Sequence, residues 1–485
     1  MITQQIASPE LNKVKPISPP KLPNLPLVGV LPFLSNYSHL ELHKLAKQYG
    51  NVFQIRLGKR NLVVINQLET IKEALVTQQD IFSVRADFDT FMQYPQHELM
   101  ELKSGEPWKR HRKMMGQAMH TYFAGKSNIM EDWIMEEAAN LVNIFQKSNG
   151  KPFEPDLHLF VANSNFLHKI AFGKKDGTAN FIALNDFLQK LPNGLLNTVK
   201  LEIMPHIWKP IFSIFRQKEL QDFYNGIGNL INYVSDAVEK NRESLNPEDS
   251  QNYTDLLLKA SSELTESDKN NLSLSERDIV HGTLVQFFGA GTELPSLTLR
   301  WALLYMISYP AIQEKIQKEL DEVVGREQQV SINHRSKLPF TEACINEVFR
   351  HSCATVMPPI TNGTASDTTL QHYFIPKGTP LLVNYYSLTR DERYWKEPEQ
   401  FNPYRFLDED GKLKNELLDK FYPFGMGARR CIGEYLGRLQ IFTLFANLIH
   451  NCKLETVHSE KVSLKPQPGA FTKPKDYRVI VKSRF

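Results

Sequence analysis

The sequence predicts a mainly helical fold with a small β region, and three observations carry that expectation. An apolar helical pattern runs from 279 to 309. Further helical runs cover 37–49, 71–76, 129–145, 153–172, 181–191, 310–324 and 339–351. Strand-like segments are short and come in pairs, with 52–57 and 62–65 the clearest hairpin, turning at Gly58 and Lys59.

The totals narrow the class. With 41% hydrophobic residues, the chain can build a sizeable core. A net charge of +3 gives no bulk attraction to nucleic acid. Four cysteines in 485 residues do not make a disulfide framework, which favours a reducing compartment. Residues 1–21 are polar, and the apolar stretch 25–34 is broken by Pro26 and Pro32. A spanning helix needs about 20 apolar residues. The expectation is a soluble, cytoplasmic protein without an anchor. If an anchor was removed ahead of Met1, the location is instead the endoplasmic reticulum membrane.

In chain order, Pro16, Pro19, Pro20, Pro23 and Pro26 give an extended arm, and Gly50 closes the first helix. Residues 82–99 read as an aromatic-rich loop. Trp108 opens a helix with Lys109, Arg110, His111, Arg112 and Lys113, and Trp108 and Arg112 share one face. That spacing could aim an indole N–H and a guanidinium at one anionic group. Residues 195–215 are rich in Leu, Ile, Phe, Trp and Pro. They read either as ordinary packing or as a lid that touches a membrane surface or admits apolar substrate. Residues 241–274 read as a long connection around one helix. Within 279–309, Gly289, Ala290, Gly291 and Pro295 weaken the helix and predict a distortion. Glu347 and Arg350 are i and i+3 on the next helix but one. Segments 374–379 and 381–384 read as a hairpin, and the turn at 469–471 with the strand 477–481 as another.

The stretch 424–433 concentrates the chemistry. Cys431 sits among Gly425, Gly427 and Gly433, after Arg429 and Arg430 and seven residues beyond Phe424. A lone Cys is ordinarily a small buried hydrophobe. Here glycines permit φ > 0 and close backbone approach. Free N–H groups, nearby cations and the following helix N-terminus all favour thiolate. One soft ligand suits zinc poorly and suits a planar macrocycle, haem, well.

The pattern Phe-x-x-Gly-x-Arg-x-Cys-x-Gly, met by Phe424, Gly427, Arg429, Cys431 and Gly433, resembles the haem-ligand signature of the cytochromes P-450. The resemblance covers about residues 25–485, and the last third looks most similar to the animal steroid 17-hydroxylase and aryl-hydrocarbon hydroxylase groups. It implies a triangular helical prism around buried haem b, with 1–35 as a Pro-rich arm and 36–485 as one catalytic domain. Cys431 would be the axial ligand, and Trp108 and Arg112 would grip a haem propionate. Ala290, Gly291 and Glu293 match the family's oxygen-binding groove, and Thr292 and Ser296 are hydroxyls beside it. Leu294 and Pro295 stand where two threonines are usual, a departure that puts proton delivery to oxygen in question. Glu347, Arg350 and Arg405 would form a structural cluster, with Tyr404 in place of the usual Glu. Thr361 and Asn362 replace a basic residue expected at the second propionate. Phe287, Ala290, Leu294, Val356, Met357 and Phe471 are the pocket candidates.

The implied activity is hydroxylation of a lipophilic small molecule, steroid-like or planar aromatic. It would use O2 and electrons from an NAD(P)H-dependent flavoprotein reductase or ferredoxin, which would dock on Lys109, Arg110, Lys113 and Arg430. Leu294 keeps a haem-thiolate isomerase, dehydratase or peroxide-driven enzyme in view, and a non-catalytic haem or sterol binder is the third class.

Overall fold

The computed structural model describes residues 17–34, 37–86, 99–173, 197–198, 200–201, 209–243, 252–356, 361–458, 460–467 and 471–485. The helical run expected at 181–191 lies outside them, as do 195–196, 199 and 202–208 of the apolar segment 195–215. Among the described residues no helix is long and apolar enough to cross a membrane.

The centre is the Thr283–Ser308 helix, entered through a π-helical turn at Asp278–Gly282 and buried along most of its length. It packs against Asp156–Phe172 on one side and Glu434–Asn451 on another. Gly291 permits the first contact, since a Cβ there would come within 3.0 Å of Leu167 Cδ1. The helix continues unbroken through Pro295, so the expected distortion does not interrupt it. Proline lacks an N–H, which leaves the carbonyl four residues back without its helical donor. That carbonyl, of Gly291, is reached instead by Gln440 Nε2 at 3.5 Å from the Glu434–Asn451 helix.

Other elements differ from the sequence expectation. The helix begun near Trp108 runs from Gly105 to Lys147, with Lys126 as its one non-helical residue (φ −129°, ψ 19°). The Gln217–Arg242 helix precedes two further helices, Tyr253–Ser262 and Glu266–Asn271, where one was expected. Each opens with a reciprocal cap, Asn252 with Asp255 and Thr265 with Asp268, which satisfies N–H groups that a short helix otherwise leaves free.

Five strands form one sheet in the order β1-β2-β7-β4-β3: β1 (Val52–Leu57), β2 (Arg60–Ile65), β7 (Pro380–Val383), β4 (Asn362–Gly363) and β3 (Val84–Arg85). The β1–β2 hairpin is antiparallel, as expected. The expected hairpin of 374–379 with 381–384 does not form. β6 (Tyr373–Ile375) pairs with β5 (Thr368–Leu370), and β7 runs parallel to β2. All four residues of β7 are buried, which suits an interior strand, whereas β6 is half exposed. Near the C-terminus β9 (Val479–Ser483) pairs with β8 (Cys452–Thr456), while residues 469 and 470 of the expected turn lie outside the described residues. The Glu434–Asn451 helix leads directly into β8 and delivers it to that partner.

Glu347, Arg350 and Arg405 meet in the core. Glu347 and Arg350 side chains have 0% exposure, with Arg350 Nε donating to Glu347 Oε2 at 2.7 Å and Nη2 to Oε1 at 2.8 Å. Arg405 Nε donates to Glu347 Oε1 at 3.2 Å, and the Asn402 backbone N–H donates to the same oxygen at 2.8 Å. Arg350 Nη1 also donates to the Thr389 and Pro398 carbonyls. Side chains from one helix thereby tie down the 389–405 segment that precedes the cysteine loop. Removing one partner of such a buried set strands the others without compensation. Glu347→Ala should lose about 3–5 kcal/mol, measured by chemical denaturation. Stability equal to the parent's would show that the cluster carries no net weight.

Candidate active site

A cavity of about 420 Å³ separates the Thr283–Ser308 helix from the 421–441 segment. Cys431 lines it and is open to it. The loop's shape is set by Gly425 (φ 73°) and Gly427 (φ 70°), both in the left-handed region. A Cβ on Gly427 would stand 1.7 Å from the Leu75 carbonyl oxygen, so no other residue fits there unchanged. Gly433 is different: at φ −90° it is the N-cap of the Glu434–Asn451 helix. The Cys431 N–H donates to the Phe424 carbonyl at 2.9 Å, which closes the loop.

The cysteine's electrostatics differ in balance from the sequence expectation. Burial pushes the Cys431 thiol up. The Gly433 backbone N–H opposes this most, Glu434 adds to the rise, and the Arg112 and Arg430 guanidiniums pull down. The donors are in place, but burial outweighs them. A bound metal ion would supply the charge that deprotonates a coordinating thiol. Among the described residues no group of three or more His, Cys, Asp or Glu side chains is placed to hold a metal ion.

At the cavity's edge three guanidiniums crowd together. Arg112 contacts the Arg430 carbonyl. Arg429 donates from Nε to the Ser83 carbonyl at 2.8 Å and lies 3.8 Å over the Trp108 ring. Burial, then Arg85, then Arg112 pull Arg429 down to about 8. Arg85, on β3, is pulled down to about 10, chiefly by burial. It pairs with Glu101 and donates from Nη1 to Asn362 Oδ1 at 2.6 Å. The position where a basic residue was expected thus holds an asparagine that orients an arginine from another strand. Arg85 was not singled out in the sequence. Its one local signal is the single arginine that ends the short apolar run beginning at Ile81.

Three buried polar atoms at this edge have no hydrogen-bond partner: Trp108 Nε1, Arg429 Nη1 and Thr361 Oγ1. Arg85 pairs with Glu101, while Arg112 and Arg429 donate to backbone carbonyls and not to a carboxylate among the described residues. An anionic group with several acceptor oxygens would satisfy both the donors and the excess positive charge. Haem, with two propionates beside a flat ring, fits this donor set, and Cys431 would ligate its iron.

On the Thr283–Ser308 helix, Phe287, Ala290, Gly291 and Leu294 line the cavity, joined by Pro295 and by Gln286 and Thr298, the last two not picked out in the sequence. Thr292 and Glu293, expected to be catalytic, are not among the lining residues. At 100° per residue they turn to other faces. Glu293 forms a buried ion pair with Lys473 at 3.0 Å. Ser296 is occupied in packing, donating to the Thr292 carbonyl at 2.7 Å and accepting from Asn163 at 3.0 Å. Of the other pocket candidates, Val356 packs with Cys353 and Tyr386 because the chain turns inward after Ser352. Phe471 packs against the main core, and neither lines the cavity. Met357 lies outside the described residues. The expected basic face is partly neutralised: Lys109 pairs with Glu106, Arg110 with Asp268 and Arg430 with Glu434, while Lys113 is exposed.

A family model described as Cytochrome P450 matches residues 19–481. The chain is 36% identical over 448 residues to the polybrominated aromatic compounds synthase of Pseudoalteromonas luteoviolacea (strain 2ta16), covering 92% of this chain and 91% of that one. It is 35% identical over 466 residues to cytochrome P450 2J2 of Homo sapiens, covering 93% and 89%. It is 32% identical over 485 residues to cytochrome P450 1A1 of Cavia porcellus, again covering 93% and 89%.

The loop geometry is testable without any ligand. Gly427→Ala meets both a strained φ and a backbone oxygen, and should lose about 3 kcal/mol or more. Gly425→Ala meets only the Tyr385 hydroxyl at 3.4 Å and should lose about 1–2 kcal/mol. Thermal unfolding of the two variants checks the order, and equal losses would contradict it.

Proposed function

The chain belongs to the cytochrome P450 family, and from that premise we propose that this oxidoreductase acts on a lipophilic, planar aromatic substrate held between Leu294 and the Cys431 loop. It is of the monooxygenase type. Haem, when bound, supplies the oxygen activation, and a thiolate ligand favours O–O cleavage. In this reading Cys431 would hold the iron, Trp108, Arg112, Arg429 and Arg85 would hold the propionates, and Phe424, Gly427 and Gly433 would shape the cysteine loop.

The observation that carries the substrate reading is the cavity wall. On the Thr283–Ser308 side of it Phe287, Ala290 and Leu294 are apolar, and Met100 adds a polarizable thioether. Thioethers and rings make favourable contacts with aromatic faces. The named product class of the Pseudoalteromonas relative, polybrominated aromatic compounds, agrees with this choice over a steroid. Electrons would come from a reductase or ferredoxin docked near Lys113. Ile214 and Phe215, 71% and 80% exposed, would supply a peripheral contact with a lipid surface.

Leu294 favours a second reading of the chemistry. It faces the cavity with no donor or acceptor and keeps water from that side of the helix. The Thr298 hydroxyl is turned back on the Leu294 carbonyl at 2.9 Å. Proton supply along this helix would then be poor, and a reaction that starts from a peroxide would not need it in the same way.

Titration of the haem absorption band should find planar aromatics binding at least about tenfold tighter than fatty acids of similar size. The reverse order would exclude the aromatic reading. With the tightest ligand, Leu294→Thr should raise product formed per NADPH consumed. If the unmutated protein already couples the two tightly and the threonine variant gains nothing, the proton-supply argument is wrong.

A further inference from the structure

The face of the Thr283–Ser308 helix that meets the cavity at Leu294 and Thr298 carries Trp301 and Tyr305 one and two turns further along. Their rings belong to a stack. Trp301 and Tyr305 lie 5.6 Å apart between centroids and 24° between planes, and Tyr305 and the buried Phe401 4.1 Å and 15°. Tyr309, half-buried just beyond the helix end, lies 5.3 Å from Phe401. At the other end the Trp301 indole N–H donates to the Thr472 carbonyl at 2.7 Å, and the Thr472 N–H donates at 3.0 Å to the carbonyl of Ala354, a cavity-lining residue. The stack thus leads from the cavity wall toward solvent.

Packing alone would account for parallel rings. It does not account for the partner of the Tyr305 hydroxyl. A buried phenol needs an acceptor, and a backbone carbonyl would serve. Here the partner is His351 Nδ1 at 2.7 Å. His351 Nε2 lies 3.0 Å from the Glu399 carbonyl, which can only accept, so Nε2 carries the hydrogen and Nδ1 is the basic nitrogen. Burial pushes the Tyr305 phenol well up and, with Arg390, pulls His351 down to about 3. The resting pair is therefore a neutral phenol against a neutral imidazole. Neither side chain lines the cavity, so substrate contact does not explain it. A phenol that loses an electron becomes strongly acidic, and this one has a base fixed at its oxygen.

We infer that Trp301, Tyr305 and Tyr309 form an exit for oxidising equivalents from the haem, with Tyr305 as a redox-active residue whose proton His351 receives. This rests on haem binding at Cys431, as proposed above. When haem oxidised by a hydroperoxide meets no substrate, Trp301 gives up one electron and regains it from Tyr305. The Tyr305 O–H bond breaks as an N–H bond forms at His351 Nδ1, which leaves a neutral phenoxyl beside an imidazolium. An electron from Tyr309 and the proton returning from His351 restore Tyr305. The weak proton affinity of His351 favours that return. Tyr309 releases its own proton to solvent and is restored by a hydrogen atom from a small thiol there.

Electron paramagnetic resonance of the haem-loaded protein, frozen soon after mixing with cumene hydroperoxide, tests this, together with mass spectrometry after a nitroso spin trap. The parent should show a tyrosyl signal and a trapped adduct at Tyr309. Tyr305→Phe, which keeps the stack but has no O–H, should lose both. His351→Gln keeps an acceptor for the hydroxyl but no base, and should weaken the signal. Tyr309→Phe should keep the Tyr305 signal and lose the adduct. These two variants decide the matter if Tyr305→Phe does not hold haem. A haem-loaded parent that consumes peroxide without an aromatic radical overturns the inference. So does an undiminished signal in Tyr305→Phe, or in His351→Gln when the phenylalanine variant lacks haem. A parent that takes up no haem removes the haem reading itself and the inference with it, a different failure from a haem-loaded protein without the radical.

Discussion

Positive charge gathered at one edge of the cavity is the constraint around which the site is arranged. Arg85, Arg112 and Arg429 come from a strand, a long helix and a loop; Arg112 lowers the proton affinity of Arg85, and both lower that of Arg429. Like charges so placed repel, and burial adds to the penalty. The fold holds them together by spending backbone carbonyls on them: Ser83 and Lys103 for Arg429, Arg430 for Arg112, Glu101 for Arg85. Those contacts fix direction but leave charge uncompensated and the Trp108 indole N–H without an acceptor. A dianionic, flat cofactor would answer both needs at once, and the exposed Cys431 opens onto the same space.

The cysteine loop depends on a second set of fixed contacts. Gly427 lies against the Leu75 carbonyl so closely that the loop and the π-helical turn Glu73–Thr77 position one another. Glu347, between Arg350 and Arg405, ties the 389–405 segment to the Pro339–Ser352 helix. Phe349 and Phe424 then pack edge to face, 5.4 Å between centroids, which joins that helix to the loop itself. A buried ion cluster is weak support for stability in general. Its value here is positional, because the same carboxylate receives two guanidiniums and a backbone N–H from different segments.

How far the sequence could be read follows the range of each interaction. The spacing of Phe424, Gly427, Arg429, Cys431 and Gly433 is local, and so is the i, i+3 relation of Glu347 to Arg350. Both were legible, and the structure brings each set together. Arg85 reaches Asn362 across 277 positions, and nothing in the short run around it announces that meeting. Strand pairing failed for the same reason: β7 was read with its neighbour in sequence but lies beside β2. Thr292 and Glu293 are a different kind of miss. Motif position argued for them, whereas helical periodicity alone turns Thr292 about 200° from Leu294. The geometry follows the periodicity. The stretch 241–274 holds two helices, Tyr253–Ser262 and Glu266–Asn271, where one was expected, although both capping pairs stand in the sequence, because its polar composition masks the second.

The central claim is that Cys431 ligates haem iron as a thiolate in a site closed by the three arginines. The most direct measurement is the difference spectrum of the reduced, carbon-monoxide-treated protein beside that of Cys431→Ser. A thiolate opposite carbon monoxide gives a strongly red-shifted band, which the account predicts in the parent and not in the serine variant. The same band in both proteins, or its absence from a haem-loaded parent, would contradict it.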